Sequence, residues 1–180
     1  MASASDSSPS GSWGVMALRL SVIGALMFWL GGFTFYAAVV IPTAHDVLGS
    51  HREVGFITQA VTYWINLSGA ATAALLLIHL LRTSDRQRWL SRGLWATWVL
   101  LTAAQLALFC LHPSLDGFLD AKDHDVLDRA GFYHLHRIYL IIATVQWCAA
   151  ITHVCLMVAA WRQKDRSATA DLRPRFACGL

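Results

Sequence analysis

Charged side chains are scarce in this sequence. Lys, Arg, Asp and Glu make up 14% of 180 residues, against 56% hydrophobic residues and a mean hydropathy of +0.49. That balance fits an integral membrane protein better than a soluble domain. Recognisable catalytic motifs are missing too. There is no Gly-rich phosphate loop, no nucleophile elbow and no HExxH, so no enzyme signature emerges. The four cysteines include no CxxC pair, which removes a zinc finger or a dithiol redox motif. The first 14 residues, MASASDSSPSGSWG, contain no Lys or Arg. They lack the basic start of a signal peptide, so the first span is expected to be retained. Rich in serine and poor in apolar residues, 1–14 is expected to be disordered.

The remaining charges leave four gaps: Leu20–His45, Val54–Leu81, Gly93–Leu115 and Ile138–Trp161. Each is long enough to cross about 30 Å of hydrocarbon at roughly 1.5 Å per residue. The expected fold is all-α, a four-helix membrane bundle over 15–162, with spans near 15–42, 55–81, 93–112 and 137–161. A loose basic tail follows over 163–180. Pro42 is expected to end the first span and Pro113 to close the third, because proline disrupts helix continuation.

Basic residues set the expected orientation. Arg82, Arg86, Arg88 and Arg92 lie in the second connection, and Arg162, Lys164, Arg166, Arg173 and Arg175 in the tail. The first and third connections carry fewer. The basic side is expected to be cytoplasmic, with both termini inside. Six of the eight histidines then gather at the outer face: His45, His51, His112, His124, His134 and His136. They share it with Asp46, Glu53, Asp116, Asp120, Asp123, Asp125 and Asp128.

Imidazole and carboxylate together suit zinc or copper(II), and a histidine at a helix end also serves as an axial haem ligand. The candidate metal residues are His45, His51, His112, His134 and His136. His136 and His45 are the candidates for cofactor binding. His136 is the better inward-facing group, because Tyr139, Ala143, Gln146, Ala150 and His153 continue a stripe from it at helical spacing. A hydrogen bond to a neighbouring helix end is the plainer role for it. Asp116, Asp120, His124 and Asp128 are each four apart and would share one helix face; a solvated acidic surface is the alternative. Cys110 and His112 are two apart, a weak copper(I) pattern.

Polar residues inside the spans need partners. Gln59, Thr62 and Asn66 follow one stripe that Gly69 and Ala73 continue, while Gln105, Gln146 and His153 lie on the third and fourth spans. Interhelical hydrogen bonds and a polar lining for a small solute are the two readings, and Asn66 and Gln146 fall at similar depths near the midplane, where a meeting between them is expected. Gly24, Gly31 and Gly32 suggest a close-packing face or room for a flat cofactor. Trp29, Trp64 and Trp147 are expected as core packing or pocket walls.

Two segments carry a resemblance. FWLGGFTFYAAVVIP resembles the first-helix pattern of the CopD-type copper-resistance membrane proteins, and GFYHLHRIYLIIATVQW resembles the start of the last helix in their short four-helix members. The matched positions are Trp29, Gly31, Gly32, Pro42, His136 and Arg137. The resemblance implies a bacterial inner (plasma) membrane protein. Longer relatives, among them copper-uptake components and a haem-containing protoporphyrinogen oxidase, have further helices and membrane histidines that this chain lacks. The leading expectation is therefore a protein that binds or handles copper or haem at its outer face. The alternatives are a structural or assembly subunit with a membrane-protein partner, or a small-solute transporter using Asn66, Gln105, Gln146 and His153. The lipid bilayer is the expected environment, and nucleic acid is not expected, since topology and anionic lipid account for the basic segments.

Overall fold

A computed structural model describes residues 10–83, 87–120 and 125–177, with side chains described for 13–50, 53–83, 87–118 and 127–167. The chain is an all-α four-helix bundle. Its elements are α1 (Ser10–Phe35), a π-helical stretch (Tyr36–Val40), α2 (Ile41–Leu48), α3 (His51–Arg82), α4 (Arg88–Asp116) and α5 (Arg129–Ala177). Four segments are long and apolar enough to cross a membrane: Trp13–Leu48, Glu53–Arg82, Arg88–Asp116 and Arg129–Ser167. They mark an integral membrane protein. Large apolar side chains such as Met27, Phe28 and Leu81 cover its outer surface, as helices facing lipid require.

Neither proline stops its helix. Proline at 42 has no N–H to give Ala38, and its ring would press on that carbonyl in a regular helix. The preceding turn widens instead: Ile41 donates its N–H to the Tyr36 carbonyl, five residues back, and α2 continues with Pro42 in its first turn. A π-helical turn is a known way to absorb such a break. The reversal comes at Gly49, whose φ of 60° suits a residue without Cβ. Its N–H bonds to the His45 carbonyl at 3.0 Å. Ser50 then caps α3, accepting from the Glu53 N–H at 3.4 Å. His45-Asp46 is thus helical, and the first connection is only Gly49-Ser50. Pro113 likewise lies inside α4, which runs on to Asp116 before Gly117 bonds back to the Pro113 carbonyl at 3.0 Å.

Among its described residues the acidic segment forms two short strands rather than a helix. Leu119–Asp120 (β1) and Asp125–Val126 (β2) pair antiparallel, with Leu119 opposite Val126 and Asp120 opposite Asp125. Asp116 ends α4, and Asp128 accepts the Gly131 N–H at 3.1 Å to cap α5. Asp side chains favour such caps and turns over helix interiors, and Asp116 and Asp128 stand at the ends of two different helices instead of on one helix face. His124 lies outside the described residues. The segment 163–177, expected to be a loose tail, continues α5.

The two ends of the bundle are filled differently. Toward the termini, Val22, Leu26, Leu76, Leu80, Leu90, Leu94, Leu101, Ala150 and Met157 form one continuous core with Trp29 at its edge. Toward the other end only Leu108, Tyr139 and Ala143 form a small cluster. At the packed end Arg19 of α1 reaches Asp165 of α5 at 3.5 Å and lies over the Trp161 ring. Gly69 is a glycine that helix packing requires. A Cβ there would strike the Gln105 side chain and lie 2.7 Å from the Trp29 indole nitrogen. Gly24, Gly31 and Gly32, expected as the close-packing face, have nothing within 4 Å of an added Cβ. Gly31 and Gly32 instead border a shallow apolar groove on the outside of α1 and α3, beside Phe28, Phe35 and Trp64.

Candidate functional site

The loosely filled end holds a cavity of about 500 Å³. That size lies within the roughly 300–1,000 Å³ that takes a drug-sized or cofactor-sized molecule. Helices α1 to α5 all contribute to it. Trp29, Phe33, Tyr36, Phe132, Tyr133 and Trp147 give it aromatic walls, and Asn66 and Gln146 lie among its polar lining. His45 comes from α2, His112 from α4 and His136 from α5, with Asp116 and Arg129 beside them. Three histidines far apart in sequence thus converge on one space.

The continuation of the helices past proline builds this arrangement. Had the first span ended at Pro42, His45 would hang in a loop; one more turn of α2 carries it to the cavity wall. On α4 the extra turn sets Asp116 four residues after His112, on the same helix face. His112 donates from Nδ1 to Asp116 Oδ2 at 3.0 Å. His136 stacks on Phe132, one turn earlier in α5, with ring planes 7° apart and centroids 5.6 Å apart. The stripe that starts at His136 is buried as expected through Tyr139, Ala143, Gln146, Ala150 and His153.

Much of the polar lining is already bonded to the bundle itself. Tyr36 donates to the Thr58 hydroxyl at 3.0 Å, which donates to the Val54 carbonyl at 2.7 Å. Asn66 donates to the Tyr139 hydroxyl at 2.8 Å. Gln146 donates to Gln105 at 2.9 Å, and the Trp147 indole to Thr34 at 3.0 Å. Apart from the Thr58–Val54 bond within α3, each pair ties two helices together. Asn66 and Gln146 do not meet each other, contrary to the depth argument; each bonds a different helix. Deeper in the packed half, His153 is fully buried and its Nδ1 lies 2.8 Å from the Thr97 hydroxyl. The Thr97 hydroxyl donates to backbone carbonyls of its own helix, so it accepts the Nδ1 proton of His153. His79 accepts from the Trp161 indole at 3.1 Å. Gln105 and His153 therefore sit outside the cavity lining, as interhelical contacts.

Other expected residues fall elsewhere. His134 is exposed and does not line the cavity. The side chain of His51 lies outside the described residues. Cys110 is exposed while His112 faces the cavity, so the pair points different ways; Cys148 and Cys155 are exposed as well. Trp29 and Trp147 are pocket walls, but Trp64 lies on the outer surface. Among the described residues no group of three or more His, Cys, Asp or Glu side chains is placed to hold a metal ion. Sequence reasoning missed Tyr36, Thr58 and Arg129 as parts of the site, and treated Asp116 as one charge in an acidic run. No family model matches the chain, and no curated protein or solved structure matches it significantly.

Proposed function

We propose that this protein binds a planar, largely apolar ligand of cofactor size in the cavity at its histidine-rich end, and that haem is the ligand its side chains fit best. The observation that carries the reading is the convergence of His45, His112 and His136 from three helices on one cavity of about 500 Å³ with aromatic walls. A flat ring system stacks well on such walls. Haem iron needs only one or two protein ligands, so the donor set fits it. A mononuclear copper or zinc site held by protein alone generally needs three or four ligands, and that requirement finds no matching group among the described residues. Bound here, haem would supply redox or sensing chemistry. The protein's part is to ligate it through a histidine, shield it with Trp29, Phe33 and Trp147, and meet its carboxylates with Arg129. The likeness to the copper-resistance membrane proteins supports the same region, since Trp29 and His136, one from each matching segment, line this cavity. The histidine-rich end is read as facing away from the cytoplasm, following the distribution of Lys and Arg.

The test is direct. The full chain is expressed in haem-replete cells, purified in detergent, and examined by visible spectroscopy with haem and metal analysis. The expected result is near-stoichiometric haem, or saturable uptake of added ferric haem, lost in the combined His45→Ala, His112→Ala, His136→Ala variant. Protein that is free of haem and takes up none contradicts the reading. A second reading, a subunit of a larger membrane complex, is favoured by the apolar groove at Gly31-Gly32. Native purification without any stable partner counts against it.

A further inference from the structure

We infer that His112, held in place by Asp116, is the residue that gives an electron pair to the ligand in the cavity, through Nε2. This rests on the ligand-binding reading above and names the donor atom within it. An imidazole has two nitrogens, and in the neutral ring one carries the proton while the other keeps the lone pair. Hydrogen bonding at one decides which. The carboxylate of Asp116 accepts a proton-bearing nitrogen only, and it lies 3.0 Å from Nδ1 of His112. Nδ1 is therefore protonated, and in the neutral ring Nε2 carries the lone pair. The His112 side chain is 13% exposed and lines the cavity, so with Nδ1 committed to the carboxylate, Nε2 is the nitrogen left for a ligand.

This pairing does more than choose a tautomer. A carboxylate behind the imidazole raises the basicity of the far nitrogen and fixes the ring orientation, which is why such partners recur behind metal-bound histidines. The mount is stiff, because both residues sit one turn apart on the same helix, four positions from one to the other. His136 is built differently. Its ring lies flat against Phe132, and neither of its nitrogens has a hydrogen-bond partner among the described residues, so nothing there selects which one holds the lone pair. His136 suits a wall of the slot. His112 suits the bond to the electrophilic centre, which for haem is the iron; Asp116 is then a positioning residue acting through His112.

Two measurements test this. The first needs no ligand: nitrogen NMR of the detergent-solubilised full chain, with ¹⁵N-histidine, assigned by loss of the His112 signal in His112→Ala. The expected pattern is a protonated Nδ1 and a lone pair on Nε2 in wild type, shifting toward a mixture in Asp116→Asn. The reverse tautomer in wild type overturns the inference. The second is titration with ferric haem, read by visible and electron-spin resonance spectra. His112→Ala is expected to lose the histidine-ligated spectrum and recover it on adding imidazole, which also shows that the variant is folded. Asp116→Asn is expected to keep the spectrum, weaken affinity about tenfold or more and raise the midpoint potential of the bound iron. If His112→Ala keeps the wild-type spectrum while His136→Ala or His45→Ala loses it, His112 is not the ligand and the haem reading stands. If Asp116→Asn changes neither affinity nor potential, the positioning role fails. If wild type binds no haem, the ligand reading fails with it, and the inference falls as well.

Discussion

The two halves of this bundle are built from the same four spans and are filled in opposite ways. In the packed half, leucines from α3 and α4 interlock with Val22, Leu26 and Met157, and polar groups there bond across helices, as Thr97 does with the Nδ1 of His153. Near the connections the helices stand apart around a cavity, and the polar groups include three histidines that face it. Histidine therefore means different things in the two halves. His153 is an interhelical hydrogen bond. His112 has one nitrogen on a carboxylate and one left for the cavity. The boundary runs near Gly69, where α3 comes close enough to Trp29 and Gln105 that no side chain fits between.

The comparison can be broken most strongly by matched leucine truncations. Leu94→Ala in the packed half is expected to cost about 2–5 kcal/mol, as for a buried leucine that leaves a void. Leu115→Ala at the cavity is expected to cost well under that, since its surroundings are already open. Unfolding in mixed micelles measures both, and equal costs would erase the distinction between the halves.

Filling space is the converse test. Ala143 and Ala150 lie seven residues apart on one face of α5, but Ala143 lines the cavity and Ala150 is fully buried in the core. Ala150→Phe is expected to destabilise by about 1–3 kcal/mol or more through overpacking. Ala143 is itself buried beside Leu108 and Tyr139, so Ala143→Phe is expected to cost some stability, but less than Ala150→Phe because the ring has the cavity to enter, and to exclude the ligand. Gly69→Ala is expected to behave like Ala150→Phe, because the new Cβ meets two side chains at the boundary.

The smallest effects come from the polar pairs. Asn66→Ala is expected to cost roughly 0.6 kcal/mol and no more than about 1.7, the range for interhelical hydrogen bonds in membranes. Tyr139→Phe should match it, because both remove the same bond. Loss of ligand uptake with unchanged stability in Asn66→Ala would instead show that this pair serves the ligand directly.

Much of the bundle was readable before any coordinates. The charge-free gaps located the spans, and helical spacing alone placed the stripe from Tyr139 to His153 and the stripe Gln59, Thr62, Asn66 on inward faces. The site was only half readable, for a specific reason. Stopping the spans at Pro42 and Pro113 put His45 in a turn and separated His112 from Asp116. Both prolines in fact sit near helix ends, where one missing bond is absorbed by a π-helical turn or by the last turn of α4. Two signals were available. Ser50 followed three residues later by Glu53 marks a helix start, which leaves little room for a long first connection. His112 and Asp116 are four apart, which invites a paired reading. The glycines misled in the opposite direction: Gly31-Gly32 is the conspicuous pair, but which glycine has a neighbour pressed against it depends on packing, and Gly69 does while Gly31 and Gly32 do not.

Ferric haem titrated into purified wild type and Ala143→Phe, side by side in the same detergent, tests the central claim most directly. The expected result is one saturable, histidine-ligated site in wild type that is lost in Ala143→Phe while the variant still folds and unfolds cooperatively. Saturable binding of equal affinity in both proteins, or none in either, contradicts a ligand held in the cavity between His45, His112 and His136.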